Sequence, residues 1–208
     1  MMNKKLYYIH DPMCSWCFGF HPAWQKLLAL LPDDIEVIYL LGGLAADTTE
    51  VMPEKMQAFI RYNWEKIATK IPGTVFNFDF FTRCTPRRAT YPACRAVIAA
   101  EVQQTGAGIR MTEAIQNAYY TQAKNPSDND VLIALAQQLG LDTLVFSEAL
   151  NAEITQKTLI KQVQYGRHEL GVSSFPSLVI SNKKQLTRIP IDYINADSML
   201  RHILYAIA

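Results

Sequence analysis

The sequence predicts an α/β protein in which one sheet is assembled from both ends of the chain, with a large all-helical insertion between them. Three observations carry this. Strand patterns occupy residues 5–10 and 35–44, with a helix pattern between them. Helical spacing then runs in blocks from Pro53 to Gly166. Strand patterns return as a hairpin after Gly171, followed by one last helix. The order is therefore βαβ, a long helical stretch, then ββα.

"KLYYIH" (5–10) is rich in strand-forming residues and stops at Asp11-Pro12. From Cys17 onward, Phe20, Trp24, Leu27, Leu28 and Leu31 fall on one helical face, which Pro32-Asp33-Asp34 ends. "IEVIYLLGGL" (35–44) is a mostly apolar strand closed by Gly42-Gly43. Two consecutive strands joined by a helix are expected to run parallel with a right-handed crossover.

In the middle of the chain the helical blocks are Met56, Phe59, Ile60 and Ile67; then Ala93, Val97, Ile98 and Val102; then Met111, Ile115, Ala118 and Tyr119. Val131, Leu132, Leu135 and Leu139 form another, with Ser127-Asp128 as its cap region and Gly140 closing it. Residues 151–172 read as a helix stopping near Gly171. "TVFNFDFF" (74–81) reads as an extended loop whose aromatics pack, with a strand as the alternative. "PSLVIS" (176–181), Asn182-Lys183-Lys184 and "QLTRI" (185–189) read as a hairpin ended by Pro190. A last helix from Asp192 or Asn195 to Ala208 puts Tyr193, Leu200, Ile203, Leu204 and Ile207 on one face. The expected organisation is a discontinuous domain of residues 1–45 and 166–208 around a helical insertion domain of residues 46–165.

The 208 residues carry a formal charge of +1; half are hydrophobic and 19% are charged. That balance gives no electrostatic reason to expect nucleic acid or an anionic membrane as a partner. No apolar run approaches the ~18 residues of a membrane helix. The N-terminal residues have two lysines but neither an apolar stretch nor a small-residue cleavage site, so the expected location is cytoplasmic. A leader already removed from the chain is the alternative. Four cysteines are too few for a disulfide scaffold, and in a reducing compartment they default to thiols, metal ligands or catalytic groups.

The chemistry concentrates in "HDPMCSWCFGFHP" (10–22). Cys14 and Cys17 are expected on the first turn of a helix, where unpaired N–H groups and the helix dipole stabilise a thiolate. Two intervening residues leave both sulfurs close enough to join. The first is exposed and attacks; the second lies deeper and resolves a mixed disulfide. Cys14 is thus the expected nucleophile and Cys17 the resolving thiol. Ser15 can hydrogen-bond the sulfur. Trp16 is expected as a partly exposed docking surface, or packed on a neighbouring loop. His10, four residues before Cys14, is a candidate modulator, with a capping or surface histidine as the plainer reading. A zinc site would need a second ligand pair, and neither Cys84 and Cys94 nor His10 and His21 gives the usual spacing. Two inert buried thiols remain a third reading of the pair. Phe175-Pro176 at the start of a strand is unusual, because proline cannot donate to the ladder; a cis bond would account for it.

Together, Cys14-Ser15-Trp16-Cys17 after a strand, Pro22 beyond it, and Phe175-Pro176 before a strand resemble the thioredoxin superfamily. The helical insertion resembles the DsbA family, and "DPMCSWCFGF" with "GVSSFPSLV" is most similar to its cytosolic, FrnE-like branch. The resemblance implies a thioredoxin-like fold with a kinked active-site helix at Pro22. It also implies that Phe175 and Pro176 contact substrate backbone beside the Cys14 sulfur. Phe175 is bulkier than the residue common in periplasmic members, which argues against their substrate preference. The activity implied is thiol–disulfide exchange on protein or low-molecular-weight disulfides, with no resident cofactor or metal and with glutathione as a candidate redox partner. A sister branch, the glutathione-dependent 2-hydroxychromene-2-carboxylate isomerases and kappa-class transferases, has the same architecture and supplies the alternative activity. It carries serine where Cys14 stands, and an asparagine absent from the similar stretch "ATYPACRAV" (89–97). Cys94 reads as a small core residue. Cys84 is a second candidate modulator, beside a basic cluster of Arg83, Arg87 and Arg88 that could attract an acidic substrate.

Overall fold

A computed structural model describes residues 4–183 and 185–208. Lys184, in the expected hairpin turn, and residues 1–3 lie outside the described residues.

The sheet has four strands in the order β2-β1-β3-β4. The first, β1 (Lys4–His10), pairs in parallel with β2 (Ile35–Leu41), from Lys4 opposite Ile35 to His10 opposite Leu41. Its other side pairs antiparallel with β3 (Ser177–Asn182), which pairs antiparallel with β4 (Gln185–Ile189). Residues 6–10 of β1 are all buried, because both faces of the central strand are covered. On one face Leu6, Tyr8, Leu178 and Ile180 meet Phe20, Trp24 and Leu27 of α1 (Ser15–Leu30) and Met199 and Ile203 of α9 (Ala196–Ile207). On the other, Tyr7, Ile9, Leu40 and Val179 meet Leu170 and Val172.

Between β2 and β3 lie α2 (Glu54–Lys70), a short α3 (Phe80–Arg83), α4 (Tyr91–Gln103), α5 (Ala107–Tyr120), α6 (Asn129–Gln138), α7 (Thr143–Asn151) and α8 (Glu153–Gln164). A π-helical turn, Tyr165–Glu169, continues α8, so the helix expected over 151–172 begins later and changes pitch before Gly171 (φ +64°). No expected helix covers 143–150, yet residues 143–151 form α7. Asp142 caps it by accepting hydrogen bonds from Leu144 N–H and Val145 N–H. Asp128 sits at the expected start of α6, but its carboxylate pairs with Arg87 instead of capping. Asn195 caps α9 by accepting from Ser198 N–H.

Several expected faces are rotated. Phe59 of α2 is 61% exposed, and the buried residues of that helix are Trp64 and Ile67. Val102 of α4 and Leu204 of α9 are likewise exposed. The reason is that Trp64 draws α2 inward. Phe76, Phe78, Phe80 and Phe81 ring its indole at centroid distances of 5.0, 5.6, 6.1 and 4.9 Å. Residues 74–81 therefore form no strand; they are a loop and the start of α3, held by these aromatics and by Asn77 N–H donating to Tyr120 O (2.7 Å). Tyr119 and Tyr120 of α5 close the same cluster.

The α1 helix approaches α2 closely enough that a Cβ on Gly19 would lie 2.7 Å from Ile71 and 2.9 Å from Ile67. Pro22 lies within α1 and supplies no N–H to the turn before it. Among the described residues, no helix is long and apolar enough to cross a membrane. Trp64→Ala empties the centre of the aromatic cluster and should cost about 3–5 kcal/mol, read from the urea unfolding midpoint.

Candidate active site

Both cysteines of the opening motif lie where the strand-to-helix turn places them. Cys14 is the N-cap residue of α1, with extended backbone (φ −85°, ψ 113°). Its sulfur accepts a hydrogen bond from Cys17 N–H (3.4 Å), so it takes the role a serine or aspartate side chain usually plays at a helix start. The positive end of the α1 dipole acts at this atom. The Cys14 thiol also lies 3.6 Å from the carbonyl oxygen of Phe175, to which it donates. Cys14 is itself buried, 6% exposed, rather than the exposed sulfur expected, because the Phe175 main chain lies over it; Cys17, one turn on, is fully buried against the sheet. Burial, then the adjacent Cys14 sulfur, pushes the Cys17 thiol well up and keeps its proton on. All four cysteines are free thiols.

The Phe175–Pro176 bond is cis, and it brings the Phe175 carbonyl across 161 residues to the Cys14 sulfur. Phe175 can sit there only because position 42 is glycine: a Cβ would lie 2.2 Å from its ring. Trp16 is half-buried, with its ring 5.2 Å from that of Tyr193 in the segment between β4 and α9. Ser15 is half-buried beside it.

In the sequence Asp11 marks only the end of the first strand pattern. Its carboxylate is fully buried. One oxygen accepts from Met13 N–H (2.8 Å); the other accepts from Leu44 N–H (2.8 Å), the Thr90 hydroxyl (2.7 Å) and the Cys94 thiol (3.5 Å). Desolvation raises its pKa, and these hydrogen bonds oppose the rise. Its signal in the sequence is an acidic residue between an apolar strand and a CxxC, a place where side chains are otherwise buried. Cys94 is thus a core residue, as read, but one tied to this carboxylate.

The remaining candidates lie apart from the thiols. His10 is neither a cap nor at the surface. It is 3% exposed, stacked on Tyr8 at 4.9 Å, and hydrogen-bonded to neither cysteine. Desolvation lowers its pKa to about 4, so it is neutral at pH 7. Cys84 is half-buried and donates to Ala123 O (3.1 Å), with its thiol pKa raised first by burial and then by Asp128. Of the basic cluster beside it, Arg87 is taken by Asp128. Among the described residues, no group of three histidine, cysteine or acidic side chains is placed to hold a metal ion.

A thioredoxin family model matches residues 7–191, which contain the CxxC, the Phe175–Pro176 bond, the end of β1 and all of β2, β3 and β4. The chain belongs to the thioredoxin family. Solved thioredoxin-family structures with the same architecture include a candidate protein disulfide isomerase from Nitrosomonas europaea, 25% identical, with a TM-score of 0.83 and covering 98% of this chain and 97% of that one. Another is the cytosolic disulfide reductase DsbM of Pseudomonas aeruginosa, 23% identical, with a TM-score of 0.77 over 97% of this chain and 98% of that one. DsbM has also been solved with GSH. Among curated relatives, the ClpXP adapter protein SpxH of Bacillus subtilis is 25% identical over 86% of this chain. The chain spans 58% of SpxH's length. The fold is that of the DsbA-like members of the thioredoxin family.

Two outcomes test this geometry. Gly42→Ala should displace Phe175 from the Cys14 sulfur, seen as changed near-ultraviolet circular dichroism and a changed Cys14 alkylation rate in a protein that still unfolds cooperatively. For His10, the folded pKa lies below the unfolded 6.5. Its contribution to stability is therefore complete above about pH 6.5 and is lost as pH falls toward 4. At roughly 1.4 kcal/mol per pH unit the loss is about 3 kcal/mol. Denaturant titrations of the protein and of His10→Gln across that window should show a steeper acid limb only where the histidine is present.

Proposed function

We propose that this protein is a thiol–disulfide oxidoreductase that cycles between the dithiol and the disulfide of Cys14 and Cys17, acting on protein or low-molecular-weight disulfides. The observation that carries the reading is the asymmetry of the pair. The Cys14 sulfur caps a helix N-terminus, accepting from Cys17 N–H and donating to the Phe175 carbonyl, and the Cys17 sulfur is fully buried beneath it with its proton held on.

In the reductive direction the Cys14 thiolate attacks one sulfur of the substrate disulfide. The other substrate sulfur leaves as a thiolate and takes up a proton. Cys17 then loses its proton and attacks the Cys14 sulfur of the mixed disulfide, releasing the second substrate thiol. The substrate gains two electrons and two protons, and the protein holds a Cys14–Cys17 disulfide. Run backward, the same steps oxidise a dithiol. In this reading Ser15, Trp16, Phe175 and Pro176 form the substrate-binding rim, with the Phe175 main chain aligning the substrate beside Cys14. Residues 1–45 and 166–208 act as the redox domain and residues 46–165 as its cover.

Glutathione is the proposed small-molecule partner that resets the pair, supported by the DsbM structure with GSH. The cytosolic setting of DsbM supports a cytoplasmic role. His10 and Cys84 make no hydrogen bond with either thiol, so any modulation by them acts through the fold. The proposal needs no metal or resident cofactor.

Cys17→Ser should accumulate a mixed disulfide between Cys14 and glutathione or a protein substrate, visible by mass under non-reducing conditions. Cys14→Ser should lose both the adduct and insulin reduction. Undiminished insulin reduction by Cys14→Ser would overturn the proposal. Turnover of a non-disulfide, glutathione-dependent substrate by that variant would point to the isomerase or transferase chemistry of the sister branch.

A further inference from the structure

A second site lies beside β2, away from the thiols. A cavity of about 650 Å³ opens between the outer edge of that strand, α1, and helices α4, α5 and α8. Neither cysteine of the pair lines it, nor does Phe175 or Pro176. Its volume is in the range of roughly 300–1,000 Å³ typical of ligand pockets.

The strand edge itself is the first recognition element. β2 is the end strand of the sheet. Gly42 N–H donates inward to His10 O (2.7 Å), whereas Leu41 N–H points outward and donates to the Gln162 side chain of α8 (2.9 Å). Main-chain groups alternate in direction along a strand, so those of Val37 and Tyr39 also point outward. Both residues line the cavity, and neither N–H has a partner among the described residues. They present donors and acceptors about 6.6 Å apart, which is the spacing of a strand ladder. At Leu41 an α8 side chain substitutes for a neighbouring strand; farther down the edge nothing does.

His10 and Gln116, 3% and 5% exposed, place polar side chains in the cavity lining. Around them the walls are apolar: Trp24, Val97, Ile98 and Ile109. The lining holds two carboxylates, Glu101 and Glu113, and neither lysine nor arginine. Glu101 is occupied by Gly106 N–H and Gly108 N–H. Glu113, exposed, lies 3.7 Å from His21 Nε2.

We propose that this groove docks an extended polypeptide segment of alternating apolar and basic residues, which adds a strand to the sheet along β2. Its main chain would complete the ladder at Val37 and Tyr39, its apolar side chains would cover the walls, and a cationic side chain would meet Glu113. A small organic ligand would fill the apolar space but leave the ladder spacing unmatched.

The test uses ¹⁵N-labelled protein carrying both Cys14→Ser and Cys17→Ser, so that no mixed disulfide contributes and the result stands apart from the redox proposal. The probe is a short, end-blocked peptide of alternating valine and lysine. The expected result is a shift of the Val37 and Tyr39 amide resonances and slower hydrogen exchange at both. Methylating alternate main-chain nitrogens of the peptide should weaken binding about tenfold or more. Glu113→Gln should weaken the valine–lysine peptide and leave a valine–serine peptide unaffected. Ile109→Trp, at a partly exposed wall position, should abolish binding while thermal unfolding is unchanged. Equal affinity for the methylated peptide, shifts confined to the residues around position 14 and Phe175, or no shift up to the solubility of the peptide would each overturn the proposal.

Discussion

The buried carboxylate of Asp11 is the constraint on which the arrangement of this protein depends. A charge-bearing group taken out of water is costly unless its lone pairs are filled. Here the donors come from three separate parts of the chain. Met13 belongs to the loop that delivers Cys14, Leu44 to the chain leaving β2, and Thr90 and Cys94 to the start of α4. Thr90 is further fixed by Ala45, whose N–H donates to the threonine hydroxyl and whose carbonyl accepts from Thr90 N–H. Satisfying one carboxylate thus locks the CxxC loop, the strand exit and the helical layer into one geometry. A neutral residue of the same size could not accept from all four donors.

That lock lets two cysteines in one helical turn differ so sharply. Cys14 takes the cap position, where the helix supplies an N–H and Phe175 supplies a carbonyl acceptor. Cys17 faces the sheet beneath Tyr8 and Tyr193, whose own hydroxyls are pushed up by burial first and then by the two thiols. A crowded, apolar surround disfavours charge on the inner sulfur. Both thiols are buried, 6% and 0% exposed, so the asymmetry between them comes from the cap position of Cys14 as much as from depth.

The helical insertion covers the sheet unevenly. Leu41, Cys94, Ile98, Leu159 and Val163 knit α4 and α8 to the end of β2. The aromatic cluster around Trp64 joins α2, α5 and the 74–81 loop, and includes Met13 from the CxxC loop. Between these two contacts the middle of β2 is left open, and the groove lies there. Helices can replace a missing strand neighbour only where a side chain such as Gln162 reaches the main chain.

By itself the sequence determined the broad order of strands around a helical stretch, though not α3 or α7, and with it the parallel βαβ opening, the hairpin and the CxxC at a strand-to-helix turn. These are local properties: apolar periodicity, proline and glycine breaks, and cysteine spacing express themselves within a dozen residues. It also singled out Phe175-Pro176 as unusual. The tertiary structure alone decided which helix faces are buried, because Trp64 rather than Phe59 found aromatic partners distant in sequence. It decided that His10 is sealed and neutral, that Asp11 is a hub, and that Gly42 exists to admit Phe175. These depend on atoms that only the fold brings together, and no local pattern records which donors will fill a carboxylate or which ring will fill the space above a glycine.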